Sequence, residues 1–135
     1  MRTMALQLPI GIEMEQLYVV SEKDLATVIG SGDVDVLATP AMIAMIENVA
    51  KSLVEDKLPA GYTTVGIRID VRHINPVPLG AKITVKVRLE KQEDKKLIFK
   101  AEVFWRELKI GEGTHERYVV KKDRFMDKVK KLALR

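Results

Sequence analysis

Cysteine is absent from the 135 residues, which removes disulfides, thiolate nucleophiles and Cys-ligated metal centres from consideration. Histidine occurs only twice, too seldom for a metal site without carboxylates. No apolar run approaches the ~20 residues that span a bilayer. The segment Met1–Gln7 has neither the basic stretch nor the long apolar stretch of a secretory leader. The expectation is a cytoplasmic protein with no membrane partner. Aromatic residues make up 5% of the chain. Among the C-terminal cations only Phe125 is aromatic, so the stacking platform of a nucleic-acid binder is missing. No Ser-His-Asp order, phosphate loop or metal motif occurs, and Gly111-Glu112-Gly113 is too short to be a nucleotide fingerprint.

What is present suits one folded domain. Hydrophobic residues are 47% of the chain and charged ones 31%, the balance of a globular protein rather than a disordered one. The net charge of +4 is a property of the tail. Lys121, Lys122, Arg124, Lys128, Lys130, Lys131 and Arg135 face only Asp123 and Asp127, and the preceding 120 residues carry a net −1. That pattern predicts a solvated terminal helix and no nucleic-acid partner.

Alternation predicts a first strand over 12–20, with Ile12, Met14, Tyr18 and Val20 on one side. Residues 21–36 read as an irregular or briefly helical connection around Gly30 and Gly32. Thr39-Pro40 then looks like an N-cap followed by the favoured first-turn proline. A helix is predicted over 41–58, stopped by Pro59 and Gly61. Its opening turns hold Met42, Ile43, Ala44, Met45, Ile46, Val49 and Ala50, apolar on nearly every side, which predicts burial all round. Four strands follow. Over 63–74, Val65, Ile67, Ile69, Val71 and His73 are expected on one face and Arg68, Asp70 and Arg72 on the other. Over 82–91, Ile83, Val85, Val87 and Leu89 point inward. Residues 92–96 read as a hairpin turn, with strands over 97–106 and 110–120 and a basic helix over 125–134. The expected class is α+β, a curved antiparallel sheet wrapped around one long helix in a single domain over 1–135, with its core at about 12–125.

Glu47 stands out because a carboxylate on a buried helix loses solvation. It either serves chemistry, lies on a subunit boundary, or pairs with Arg68 or Arg72. His73, the lone histidine on an apolar strand face, is either a satisfied core residue or the proton-transfer partner of a carboxylate. Thr39 is a cap, or it stands where helix N–H groups gather for an oxyanion. His115 and Arg117 share a strand face and are either solvated or part of a site.

Five strings occur in order: Ala38-Thr39-Pro40-Ala41-Met42, Ile46-Glu47, Thr64-Val65-Gly66, His73-Ile74-Asn75-Pro76 and Gly113-Thr114-His115-Glu116-Arg117. Together they resemble the fluoroacetyl-CoA thioesterase-like branch of the hotdog superfamily, over roughly residues 12–125. The resemblance implies a hotdog fold, an acyl-CoA substrate, no cofactor beyond the coenzyme A of that substrate, and a catalytic set of Thr39, Glu47 and His73. It also implies that Gly66 lies against the acyl group and that Arg117 is near the site. The fluoroacetyl-specific enzyme has aromatic residues ahead of its helix, whereas residues 30–37 here have none. The resemblance therefore points to thioester chemistry without pointing to fluoroacetyl-CoA.

Eight residues of helix amount to ~12 Å of rise and ~80° of rotation, so Thr39 and Glu47 of one chain do not meet in a regular helix. A shared site then needs a bend at Thr39 or a second subunit. A homodimer, or a dimer of dimers (a tetramer), is expected. The rival readings are a dehydratase in which His73 takes a proton from carbon, a non-catalytic acyl-CoA or small-ligand binding module, and a structural assembly protein.

Overall fold

The computed structural model describes residues 6–135. Strand β1 (Glu13–Val19) leads through a 3-10 turn at Glu22–Asp24 into the short helix α1 (Ala26–Ile29). Gly30 closes α1 in the left-handed conformation, φ 93°, which glycine adopts without steric cost. The long helix α2 (Thr39–Glu55) follows, then β2 (Tyr62–His73), β3 (Lys82–Glu93), β4 (Lys96–Trp105), β5 (Leu108–Lys121) and helix α3 (Lys122–Ala133).

All five strands form one antiparallel sheet in the order β1-β3-β4-β5-β2. Tight hairpins place β3, β4 and β5 side by side, while β2 crosses to the far edge beyond β5. The β3–β4 turn is only Asp94-Lys95, shorter than the predicted 92–96, with Asp94 at φ 58°. Aspartate tolerates that region better than most residues. The alternation predicted for β3 is present: Ile83, Val85, Val87 and Leu89 are fully buried, as are Leu97, Phe99, Ala101 and Val103 on β4. Against them α2 buries Ala41, Met42, Met45, Ile46, Val49, Ala50, Leu53 and Val54. Each large side chain in that set contributes about 1.5–3 kcal/mol relative to exposure. Gly111 leaves room for the Met42 side chain of α2, since a methyl group there would lie 2.8 Å from Met42 Sδ.

Four expectations need correction. Helix α2 begins at Thr39 itself and ends at Glu55; its N-cap is Ala38, and no side chain caps it. The helix is not buried all round, because Thr39, Pro40, Ala44 and Asn48 face outward while Ile43 and Glu47 are half-buried. On β2 the pairing with β5 slips between Gly66 and Arg68. This bulge lets two residues oppose one and switches the faces. Val65 therefore pairs with Tyr118 on the outer face, whereas Gly66, Ile69, Val71 and His73 pair with Arg117, His115, Gly113 and Gly111 on the inner one. Helix α3 starts earlier than predicted and contains no buried residue, as a solvated basic helix should.

Candidate active site

Thr39 projects from the first turn of α2, and His73 closes the inner face of β2 as that strand ends. Their side chains meet, with Thr39 Oγ1 2.8 Å from His73 Nδ1. Freed from capping the helix, the threonine hydroxyl is available to orient the ring. The other ring nitrogen, Nε2, is buried and has no hydrogen-bond partner among the described residues. Burial holds the His73 pKa below its ordinary value, against the nearby backbone of Asn75, which raises it. A neutral imidazole with one free nitrogen can accept or relay a proton. The pair lines a cavity of about 290 Å³, walled by Ala26, Leu37, Ala38, Ile74 and Pro76 among others. No Phe, Tyr or Trp lines this cavity, and the stretch from Ser31 to Ala38 that forms part of its wall lacks aromatics.

Glu47 lies two turns further along α2, where it forms no hydrogen bond with Thr39 or His73 among the described residues. It rests instead on Gly66. A methyl group built there would lie 2.9 Å from Glu47 Oε2, 3.3 Å from His115 Cε1 and 3.4 Å from Arg117 Nη1. Gly66 thus leaves the space into which the carboxylate, the imidazole and the guanidinium all look. Glu47 is not paired with Arg68 or Arg72, because the β2 bulge directs both to the outer face; Arg68 binds Asp70 and Glu116 there. Within one chain the residues named above form two clusters, Thr39 with His73 and Glu47 with Gly66 and Arg117.

His115 and Arg117 are not solvated. Both are buried, at 1% and 7% exposure, because β5 lies between β4 and β2. Arg117 donates from Nε to Thr64 Oγ1 at 2.8 Å and from Nη2 to the Thr64 carbonyl at 3.0 Å. Its Nη1 contacts His115 Nε2 at 3.1 Å, and His115 Nδ1 contacts the Arg68 carbonyl at 2.7 Å. The His115 ring stacks on Phe99 with centroids 6.1 Å apart. Burial lowers the Arg117 pKa, and the charge of Glu47 acts in the opposite direction. Thr64 is marked in the sequence only as part of the string Thr64-Val65-Gly66. The alternation of β5 placed His115 and Arg117 together, but only the strand order shows that their face is covered. Among the described residues no three potential ligands gather to hold a metal ion, and no helix is long and apolar enough to cross a membrane.

A family model for fluoroacetyl-CoA-specific thioesterase matches residues 20–123. The fluoroacetyl-CoA thioesterase of Streptantibioticus cattleyicolor is 30% identical over 96 residues, 71% of this chain and 69% of that protein. A solved structure of a fluoroacetyl-CoA thioesterase superposes with a TM-score of 0.88 at 24% identity, covering 93% of this chain and 97% of that one. A thioesterase superfamily member from Thermus thermophilus gives 0.87 at 23% identity, with 94% of each chain covered. A hot-dog-like protein from Thermanaerovibrio acidaminovorans gives 0.85 at 24% identity, with 91% of each covered. The fold is that of the hotdog thioesterases.

Proposed function

The chain belongs to the fluoroacetyl-CoA-specific thioesterase family, and from that premise we propose that it hydrolyses small acyl-CoA thioesters in a site built from Thr39, Glu47 and His73. The observation that carries the assignment of residues is the 2.8 Å contact between Thr39 and His73 on the wall of a cavity. A thiolate leaves readily, so the protein has to supply a nucleophile or base and a place for the oxyanion. Glu47 attacks the carbonyl or activates water. Thr39 orients the substrate or a carboxylate, and His73 assists proton transfer through the nitrogen that Thr39 leaves free. N–H groups at the start of α2 or beside Gly66 receive the developing charge. No cofactor is needed beyond the coenzyme A carried by the substrate.

The separation of Glu47 from Thr39 and His73 in one chain favours a homodimer in which each site takes Glu47 from one subunit and the Thr39–His73 pair from the other. The twelve-residue strand β2 is an edge with Ile67 at 51% and Ile69 at 37% exposure. An edge of that length and apolarity invites pairing with a second copy. The absence of aromatics from the cavity wall favours an acyl group chosen by size over one chosen for fluorine.

Glu47→Gln tests the assignment, since it removes the charge and keeps the volume. Turnover of acyl-CoA is expected to fall by ~10² or more, while the thermal midpoint holds or rises, because an amide costs less to desolvate than a carboxylate. A folded Glu47→Gln protein that hydrolyses acyl-CoA at the parent rate would displace the catalytic reading in favour of a binding module.

A further inference from the structure

The reading above employs one of the two histidines, and the second, His115, sits where its chemistry is constrained from both sides. Its Nδ1 lies 2.7 Å from the Arg68 carbonyl, and a carbonyl can only accept, so Nδ1 carries the proton. Its Nε2 lies 3.1 Å from Arg117 Nη1, and a guanidinium can only donate, so Nε2 presents its lone pair. The two contacts together admit one form of the ring, neutral and protonated at Nδ1. The guanidinium is fixed in turn by three neutral acceptors, two on Thr64 and one on His115. A cation buried to 7% exposure and, among the described residues, without a carboxylate in ion-pair contact keeps its field for whatever stands before it. Before Nη1 lies the space over Gly66, bounded on its other side by Glu47 Oε2.

We infer that His115 is a positioning residue: in its neutral Nδ1-protonated form it acts with Thr64 to aim the Arg117 guanidinium at the Glu47 carboxylate across Gly66. The inference deepens the thioesterase reading and rests on it for the effect on turnover, though not for the network itself. Protonating His115 would convert Nε2 into a donor facing another donor and would set two cations side by side in a dry site. Arg117 would lose one of its three acceptors and its aim. Arg117 from β5 and Glu47 from α2 face the ring, the first disfavouring its charge and the second favouring it; Glu116 of β5, on the opposite face with Arg68, also favours it. From β2 it meets the Arg68 carbonyl, and from β4 it meets Phe99, which carries no charge. Desolvation outweighs the Arg68 bond and the carboxylates and lowers the pKa of the ring below its ordinary value.

Two histidines in the chain make the test direct, because ring ¹⁵N spectra show only two imidazoles. His115 is expected as the Nδ1-protonated tautomer at neutral pH, with the Arg117 Nε–H protected from exchange by its bond to Thr64. In His115→Phe, which keeps the volume and the stack on Phe99, that protection should be lost. With acyl-CoA, kcat should fall at least about tenfold while KM changes by less than about twofold. His115→Gln, whose amide can donate to the Arg68 carbonyl and accept from Arg117, should recover most of kcat and lose the part of the acid limb of the pH–rate profile that belongs to His115. An Nε2-protonated His115, or a folded His115→Phe protein with parent kcat or a protected Arg117, overturns the inference. Should His115→Phe fail to fold, the parent's tautomer and the Gln variant's pH profile decide it. Should the parent hydrolyse no acyl-CoA, the thioesterase reading fails while tautomer and exchange still decide the network.

Discussion

His73 and His115 are both pushed below the ordinary histidine pKa of 6.5, chiefly by desolvation, and this couples folding to pH. In the unfolded chain the rings bind protons at a pH where the folded ones do not. The unfolded state therefore holds more protons between the folded and unfolded pKa values, and stability rises with pH across that interval. The contribution is complete above about 6.5 and is lost as pH falls through the folded values. Urea midpoints measured at about pH 7.5 and about pH 5.5 at equal ionic strength should be lower in acid, and His73→Gln/His115→Gln should reduce the difference. Equal midpoints for the parent would mean that neither ring is held neutral. The carboxylates Glu93 and Glu112, lowered from an ordinary 4.5, stay charged at both of these pH values and do not imitate the effect.

At the scale of elements, β2 carries the most consequence, as it holds Gly66 and His73 and is left as an edge. Ile67 sits at the bulge, half-exposed in the single chain, so a lysine there is tolerated by the monomer. In a paired edge it would bury an uncompensated charge. Ile67→Lys is expected to shift sedimentation from a dimer to the 15.2 kDa species at micromolar concentration and to abolish turnover. A variant still dimeric and active would place the subunit contact elsewhere. The contrast between β3 and β2 explains what the sequence could reveal. β3 is central and regular, so burial of Ile83, Val85, Val87 and Leu89 follows directly from period-two alternation. On β2 the same reasoning assigned Val65 to the wrong face, because one extra residue at Gly66–Arg68 reverses the parity and no local signal reveals which residue is unpaired. His115 and Arg117 were legible as neighbours but not as buried residues. Their burial depends on β2 crossing to the outside of β5, a non-local choice that alternation does not encode. Residue type and the following proline fit Thr39 as a cap as well as a site residue; the helix starts one residue earlier, and the hydroxyl turns to His73 instead.

For the whole molecule, the central claim is that catalysis needs two chains, with Glu47 of one subunit serving Thr39 and His73 of the other. Mixing two impaired variants tests it most directly. Glu47→Gln and Thr39→Ala homodimers should each hydrolyse acyl-CoA poorly, since every site in them lacks one member. Unfolded together and refolded at equal amounts, half the dimers pair one chain of each kind. Such a heterodimer has one site that keeps both Thr39 and Glu47 and one that has neither. Recovery of about a quarter of the parent activity is expected from that statistics of two-fold assembly, with refolded single variants as controls. If the mixture stays as inactive as its components while heterodimers are present, Glu47 and Thr39 act within one chain and the two-subunit site is contradicted.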